Sequence, residues 1–324
     1  MITCVVPCYN EEAVLDRFYA EITRIAGQMK KVPFEFLFIN DGSTDGTLSK
    51  LRRLAGLDSR VHYVSFSRNF GKEAGIYAGL QNASGDYVVI MDADLQDPPD
   101  LIPEMYHAVT EEGYDCVGSR RVTRKGEPPV RSFFARLFYK LMNRMSKTEV
   151  VDGARDFQMM SRKVVNAVLD MGEYNRFSKG IFGWIGFKKK WLEYENVERA
   201  AGETKWNFWS LLVYALDGIL AFSTTPLVLA SVLGLLICLA AVVLIGVIVV
   251  RTLVFGDPTS GWPSLACLIL MMSGVQLFCI GILGQYLAKT YLETKHRPIY
   301  LVGESNLEEG ILSGKKYTGK REAS

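Results

Sequence analysis

The sequence predicts an α/β fold, a doubly wound parallel sheet, followed by two C-terminal transmembrane helices. Near the N-terminus, four apolar runs are each followed by a helical pattern, which is the order found in parallel sheets with right-handed crossovers. Each run ends in polar or glycine residues, as strands do at a ligand-binding edge. Near the C-terminus, the stretches 219–250 and 258–288 contain no Asp, Glu, Lys or Arg, and each exceeds the roughly 20 residues that a membrane-spanning helix needs.

The four strand and helix units occupy the first 91 residues. They predict strands at 2–7, 34–39, 61–66 and 87–91, and helices at about 10–29, from about 47, and from 72 to about 81. Because parallel strands end at the same edge of a sheet, the loops that follow them are expected to converge. These loops are 7–11, 41–45, 68–72 and 92–97. Neither a Gly-x-Gly-x-x-Gly after the first strand nor a Gly-x-x-x-x-Gly-Lys-Ser/Thr is present, which argues against dinucleotide and P-loop binding.

The fourth predicted strand leads directly into an acidic segment. Residues 88–91 have the continuous apolar character of a strand covered on both faces, and two prolines after the acidic segment prevent its continuation. Asp92, Asp94 and Gln96 alternate along this segment, which is expected to be extended so that the three side chains point the same way. Such oxygen ligands suit Mg²⁺ or Mn²⁺ beside a diphosphate. An isolated Asp-x-Asp is more often a solvated turn, but this one ends a buried strand.

Polar residues in the other loops suit a nucleotide and its phosphates. Asp41 is placed to accept a hydrogen bond from a base or a ribose, and Arg68 and Lys72 can meet a phosphate or a carboxylate. The alternative for Arg68 is a surface ion pair. Its position in a loop at the edge of the sheet favours the ligand.

The expected general base is a carboxylate. None of the four loops contains any of the three histidines, His62, His107 and His296. Asp152 and Asp156 are the acids outside the metal motif with the most unusual setting, because they flank an arginine just ahead of an apolar run. That arginine, Arg155, could instead make Asp156 part of a structural ion pair, and the sequence leaves this alternative open.

The C-terminal half is divided by charge and hydropathy. After a cytoplasmic domain of residues 1–200, which includes a basic amphipathic helix at 130–147, the sequence predicts a juxtamembrane amphipathic helix at 201–222, transmembrane helices at 226–250 and 264–287, and a polar tail at 289–324. The loop between the spans holds only Arg251 and Asp257, whereas lysines and arginines are concentrated outside them. The positive-inside tendency therefore predicts an inner (plasma) membrane protein with both termini and the large domain in the cytoplasm. Two buried core helices are the alternative.

Six motifs resemble those of the family-2 inverting glycosyltransferases, and specifically of the membrane-anchored polyprenyl-phosphate sugar transferases. They are VVPCYNEE, NDGSTDGT, SRNFGKEAGIYAGL, MDADLQDPP, DGARDFQMM and AGETKWNFWSLL. The resemblance covers residues 1 to about 290. This group includes dolichol-phosphate mannose synthase and the bactoprenol glucosyltransferases. The two predicted C-terminal spans resemble the arrangement in the bactoprenol glucosyltransferases more closely than that in the mannose synthases, which have one span or none.

The resemblance implies a GT-A fold, a nucleotide-sugar donor, a polyprenyl phosphate acceptor and a Mg²⁺ or Mn²⁺ cofactor. Carried over by motif, the nucleotide sugar would be bound by Pro7, Tyr9, Glu11, Asp41, Lys72 and Asp92. The metal would be held by Asp92, Asp94 and Gln96. Asp156 would be the catalytic carboxylate, as a base or an orienting group, with turnover also depending on Asp94. Arg131 and Lys205 would contact the acceptor phosphate.

The expected function is therefore the inverting transfer of one sugar, glucose from UDP-glucose, to undecaprenyl phosphate at the cytoplasmic face of the membrane, for modification of cell-envelope glycans. UDP-GlcNAc and GDP-mannose are the alternative donors. A processive polysaccharide synthase is disfavoured, because the chain has only two spans and no Gln-x-x-Arg-Trp sequence. A non-catalytic membrane module that binds a nucleotide sugar is the alternative from another class. No nucleic acid partner is expected, and a homo-oligomer is left open.

Overall fold

The computed structural model describes residues 1–122, 151, 153–194, 223–255 and 261–308. In these ranges eight strands form one sheet: β1 (Ile2–Cys8), β2 (Phe34–Asn40), β3 (Val61–Phe66), β4 (Tyr87–Ile90), β5 (Cys116–Arg121), β6 (Ala154–Ser161), β7 (Lys189–Tyr194) and β8 (Val302–Ser305). The α-helices are α1 (Leu15–Gln28), α2 (Thr47–Leu57), α3 (Lys72–Asn82), α4 (Ile102–Thr110), α5 (Arg162–Leu169), α6 (Ser178–Trp184), α7 (Thr225–Phe255) and α8 (Trp262–Thr294).

The sheet has a parallel centre and mixed edges. Its order is β7-β5-β6-β4-β1-β2-β3-β8, and the central strands β4, β1, β2 and β3 are parallel. The predicted doubly wound α/β core is therefore confirmed. Strands β6 and β8 run antiparallel to their neighbours, so the complete sheet is mixed. The chain reverses its direction of growth at β1, which pairs with β2 on one side and β4 on the other, and ligands of open α/β sheets bind at such a switch point.

Two apolar clusters cover the two faces of the sheet. One contains the buried faces of α1 and α4, including Phe18 and Met105, and the other contains those of α3 and α5, including Ile76 and Val164. As expected for a strand covered on both faces, the apolar side chains at 88–91 are fully buried. The rigid centre of the sheet therefore supports the loops at its carboxyl edge.

Two helices are long and apolar enough to cross a membrane. Their apolar windows are Thr225–Leu244 and Met271–Thr294, and neither is buried within the described part of the chain. Core helices of a soluble domain would be mostly buried, so the exposure of these two helices disfavours that alternative. The two helices contact each other, and the Tyr286 hydroxyl donates a hydrogen bond of 2.5 Å to the Ser223 carbonyl. The amphipathic helices predicted at 130–147 and 201–222 lie outside the described residues.

The chain returns to the eight-stranded sheet after α8, a feature that the sequence analysis did not predict. Strand β8 pairs antiparallel with β3, and Glu304 accepts hydrogen bonds from Arg52 and Tyr63. Tyr300 is buried, stacks on Phe66 with ring centroids 4.8 Å apart, and donates a hydrogen bond to Gln81. Part of the segment expected to be a tail is therefore built into the edge of the sheet.

This attachment predicts a large loss of stability for Tyr300→Ala. The substitution removes a buried ring from the interface between β8 and α3, which should lower the free energy of unfolding by about 3–5 kcal/mol. Chemical unfolding of the full-length protein in detergent measures it. Leu57→Ala is the control, because Leu57 is 75% exposed and its loss should cost under about 0.5 kcal/mol. Equal effects of the two substitutions would contradict the docking of this segment.

Candidate active site

The four loops at the carboxyl ends of the parallel strands converge, as predicted. Between the first two loops, the backbone N–H of Asn10 donates to Ser43 Oγ at 2.9 Å, and the N–H of Thr44 donates to Asn10 Oδ1 at 2.8 Å. Between the second and third, Asp41 accepts from the backbone of the loop after β3. Between the third and fourth, Lys72 contacts Asp92. Segments far apart in sequence thus form one site.

Asp41 anchors the loop after β3. It is buried, and its two carboxylate oxygens accept the N–H groups of Phe70 at 2.6 Å and Gly71 at 2.9 Å. Burial raises the pKa of Asp41 above its ordinary value, although these two hydrogen bonds oppose the rise. Gly42, at φ 63°, lies so close to the Arg68 backbone that a side chain there would collide with it. A contact between Asp41 and a nucleotide stays a prediction.

Lys72 joins the acidic segment after β4 to strand β6. Its Nζ lies 2.7 Å from Asp92 Oδ1 and 2.6 Å from Asp156 Oδ2. Removal from water alone would lower the pKa of Lys72, but the two carboxylates outweigh it and raise that pKa. Burial alone would raise the pKa of Asp156, but Lys72, with Lys179 and Arg155 farther off, holds it well below its usual range. Asp156 is therefore ionised at neutral pH.

The acidic segment after β4 is not extended, and in this respect the sequence prediction was wrong. The strand ends at Ile90, residues 93 and 94 form a turn, and Leu95 adopts φ 56°. The turn brings Asp94 Oδ1 within 3.1 Å of the backbone N–H of Gln96. Gln96 Oε1 accepts a hydrogen bond of 3.3 Å from Arg155. Two prolines follow directly, and the turn is how the chain leaves the sheet.

Arg155 forms its ion pair with Asp97, whereas the ion-pair partner of Asp156 is Lys72, so the alternative pair of Asp156 with Arg155 is not formed. Its Nε lies 3.0 Å from Asp97 Oδ1, and the Tyr194 hydroxyl donates to the same oxygen. Successive residues of a strand point to opposite faces, so Arg155 and Asp156, adjacent in β6, reach different partners. Asp97 is buried, and burial raises its pKa, opposed by Arg155.

Sequence reasoning missed three members of this site. Asp97 stood in the acidic segment but was given no role, and nothing in the sequence pointed to Tyr194. Glu73 was also missed: its carboxylate accepts hydrogen bonds from the backbone N–H of Ser178, at 2.9 Å, and from the Ser178 hydroxyl. This contact fixes the start of α6 against the start of α3, beside Lys72.

The remaining predicted residues are placed as follows. Pro7 lies within β1, opposite Ile39 of β2. Tyr9 is 38% exposed on the first loop, and the backbone N–H of Glu11 donates to Thr47 Oγ1 at 2.9 Å. Outside the described residues lie Arg131, Asp152 and Lys205.

The chemical types of the donors suit a hard divalent cation. Asp92 and Asp94 supply two carboxylates, and Mg²⁺ in such sites takes one or two carboxylates and completes its shell with water and phosphate oxygens. The Gln96 amide oxygen, the third expected ligand, accepts a hydrogen bond from Arg155 in this structure. Within the described ranges, no cluster of three or more His, Cys, Asp and Glu side chains is arranged to hold a metal alone. A metal here would need ligands from its substrate, and it would share the Asp92 carboxylate with Lys72.

Residues 3–169 match the sequence model of the family described as glycosyl transferase family 2. The chain belongs to that family. Its membership and its doubly wound sheet confirm the predicted GT-A class, and the protein is a glycosyltransferase.

Two relatives match almost the whole chain. The putative glycosyltransferase CsbB of Bacillus subtilis is 42% identical over 95% of this chain and 92% of its own length. The bactoprenol glucosyl transferase of Shigella phage SfV is 41% identical over 93% of this chain and 97% of its own length. Among solved structures, glucosyl-3-phosphoglycerate synthase from Mycobacterium tuberculosis, in complex with Mn²⁺, UDP-glucose and phosphoglyceric acid, is 21% identical and covers 68% of this chain and 77% of its own, with a TM-score of 0.46.

The buried pair of this glycosyltransferase predicts a strong thermodynamic coupling between Arg155 and Asp97. Arg155→Met should lower the free energy of unfolding by about 3–5 kcal/mol, because it leaves the Asp97 carboxylate buried without its cation. Adding Asp97→Asn should recover about half of that loss. Chemical unfolding in detergent measures both.

The matched control is Arg24→Met. Arg24 forms exposed pairs with Glu21 and Asp100, and such pairs contribute under about 1 kcal/mol. If Arg155→Met costs no more than Arg24→Met, the buried pair does not stabilise the site as argued.

Proposed function

We propose that this glycosyltransferase moves one sugar from a nucleotide sugar to a polyprenyl phosphate, with inversion at the anomeric carbon. The proposed donor is UDP-glucose, and the proposed acceptor is undecaprenyl phosphate. The product would serve in the modification of cell-envelope glycans. The observation that carries the proposal is the cluster of Lys72, Asp92 and Asp156, in which a carboxylate of β6 meets the acidic metal segment. The name of the phage relative, a bactoprenol glucosyl transferase, supports the lipid acceptor.

The proposed reaction is a single displacement. An oxygen of the acceptor phosphate forms a bond to the anomeric carbon while the bond from that carbon to the diphosphate breaks, and the diphosphate leaves with the electron pair. A divalent cation, held by Asp92, Asp94 and Gln96, would neutralise charge on the departing diphosphate. In this scheme Asp41 and the first loop, with Pro7, Tyr9 and Glu11, hold the nucleotide.

In this scheme, Lys72 offsets the repulsion between the acceptor phosphate and Asp156. The acceptor phosphate is an anion, and Asp156 is an ionised carboxylate, so the two repel each other. The Lys72 ammonium lies 2.6 Å from Asp156 and has three donors to share. In place of the nucleotide-sugar contact expected from the sequence, we assign Lys72 the role of holding an incoming phosphate oxygen beside Asp156. Because the second pKa of a phosphate monoester is about 6, the acceptor is mostly deprotonated at neutral pH, and Asp156 orients it more than it deprotonates it.

The proposed location is the inner (plasma) membrane, with α7 and α8 as spans and both termini in the cytoplasm. The two apolar helices support it by length and composition, and the basic residues outside them support the cytoplasmic placement of the large domain. Arg131 and Lys205 are proposed to contact the acceptor phosphate from this side.

A panel of nucleotide sugars tests the proposal. The purified full-length protein, with Mg²⁺ or Mn²⁺ and undecaprenyl phosphate, is offered UDP-glucose, UDP-GlcNAc and GDP-mannose in turn. The expected product is undecaprenyl phosphate carrying glucose. A lipid product from another donor would correct the sugar, and nucleotide-sugar binding without any transfer would favour the non-catalytic module.

Asp94→Asn is expected to lower the turnover rate by at least about 100-fold, because it removes one of two carboxylate charges from the proposed metal site. The initial rate of lipid glycosylation measures it, with Mn²⁺ varied to expose weakened metal affinity. Asp100→Asn is the matched control, since this exposed acid a few residues later pairs only with Arg24 among the described residues. Full activity of Asp94→Asn would remove Asp94 from the site.

Asp156→Asn is expected to lower kcat by about 100-fold while leaving the KM for the donor within about twofold. An orienting role further predicts the same loss at pH 6 and pH 8. A base needed to deprotonate the acceptor would instead show a smaller loss at pH 8, where the phosphate is already a dianion. Unchanged turnover would exclude Asp156 from the mechanism.

A further inference from the structure

A cleft of about 390 Å³ lies beside the cluster of Lys72, Asp92 and Asp156. One wall is the loop after β3, with Arg68 and Gly71, and the other is the segment before α6, with Tyr174, Asn175 and Arg176. Ile299, from the chain after α8, completes the lining. We call it the Arg176 cleft. Gly71 and Glu73, the neighbours of Lys72 in the chain, both line it, so it opens next to the proposed site of transfer.

The Arg176 cleft carries two guanidinium groups, neither of which forms a direct ion pair with a carboxylate of the described residues. Arg176 is only 9% exposed and lies over the Tyr77 ring, 4.5 Å from its centroid. Two of its nitrogens donate to the backbone carbonyls of Met171 and Val168, and its Nε has no partner. Within the described ranges, neither Arg176 nor Arg68 has a carboxylate within 4.0 Å. Glu73 and Glu173 act on Arg176 through space without pairing with it directly. A buried cation that lacks a direct ion pair is costly, so the cleft is suited to an anion.

Two further groups favour an anion. The Asn175 Nδ2 amide is buried, with no hydrogen-bond partner in the described part of the chain, and it is a donor. Glu73 is the acid among the described lining residues. Its carboxylate already accepts two hydrogen bonds from Ser178, and burial raises its pKa above the ordinary value. The two Ser178 donors offset part of the negative charge that Glu73 presents to the cleft.

The wall of the cleft is attached to the end of the second apolar helix. The Glu293 carboxylate, in the last turn of α8, accepts the backbone N–H of Tyr174 at 2.9 Å and of Asn175 at 3.1 Å. Ile299 follows a few residues after that helix ends. If α8 spans the membrane, this wall stands at the level of the lipid head groups. A nucleotide comes from solution, so this position favours a phosphate carried on a lipid.

We infer that the Arg176 cleft binds the phosphate monoester of the lipid acceptor, with Arg176 and Arg68 supplying the charge and the Asn175 amide a further hydrogen bond. The inference rests on the proposed function. The cleft would be the first position of the phosphate, entered from the head-group layer. Transfer would follow after the phosphate has moved past Gly71 to the position beside Lys72 that is assigned under the proposed function. Bidentate recognition of a phosphate is a property of arginine that lysine lacks.

The test uses full-length protein in phosphatidylcholine nanodiscs, with Arg68→Gln, Arg176→Lys and the control Arg24→Gln, whose arginine is exposed on α1. Undecaprenyl phosphate binding is measured without donor, so this readout does not depend on transfer. Both cleft variants should weaken binding about tenfold, and the KM for undecaprenyl phosphate should rise by a similar factor. The KM for the nucleotide sugar should stay within about twofold.

Unchanged binding of undecaprenyl phosphate in Arg68→Gln and Arg176→Lys would overturn the inference. So would a rise in the donor KM in place of the acceptor KM. In a second arm, nanodiscs contain phosphatidylglycerol and no undecaprenyl phosphate, and equal loss of phosphatidylglycerol binding would show a general head-group site, which also overturns it. If Arg176→Lys does not fold, Arg68→Gln decides, because the Arg68 side chain is exposed and, among the described residues, bonds to Asn69 and lies over Phe70 of its own loop. Failure of the wild type to transfer sugar would reject the proposed function alone.

Discussion

The contact of one ammonium with two carboxylates is the constraint on which the site depends. Lys72 lies at the start of α3, Asp92 just beyond β4, and Asp156 on β6, and only the sheet brings these segments together. Two carboxylates so close, partly withdrawn from water, would repel each other without a cation between them. Lys72 offsets that repulsion by contacting both. Two further residues support this cluster. Asp41 accepts a hydrogen bond from Gly71, just before Lys72, and Arg155 pairs with Asp97 in the acidic segment.

The centre of the fold and one half of the site could be predicted because both depend on local patterns. A buried strand is a continuous apolar run, and the polar residues that end it must lie at the edge of the sheet, so Asp41, Lys72 and Asp92 could be grouped before any coordinates were known. The partners of Arg155 could not be predicted from the sequence. Which residues Arg155 and Asp156 contact depends on the face of β6 that each occupies, and β6 joins the sheet antiparallel to β4, across a long stretch of intervening chain.

Strand β8 shows a second limit. Its four residues, Val302–Ser305, carry one buried apolar side chain, and they resemble the start of a polar tail. What makes them a strand is the exposed edge of β3, with Tyr300 docked between Phe66 and α3 and Glu304 paired to Arg52. No window of sequence around 302–305 contains that information. An edge strand of this kind also covers backbone groups of β3 that would otherwise remain unpaired.

If α8 spans a membrane as proposed, the path of the chain after it connects the membrane to the active site. Glu293 holds the Tyr174 backbone, and a few residues later Tyr300 and β8 join the sheet, so the end of α8 is fixed to the catalytic domain at two places. Tyr174 borders the cleft beside Lys72. The depth of α8 in a bilayer would therefore set the height of this cleft above the lipid surface. For a reaction between a soluble donor and a phosphate that cannot leave the head-group layer, this attachment would keep the two reacting atoms at the same level.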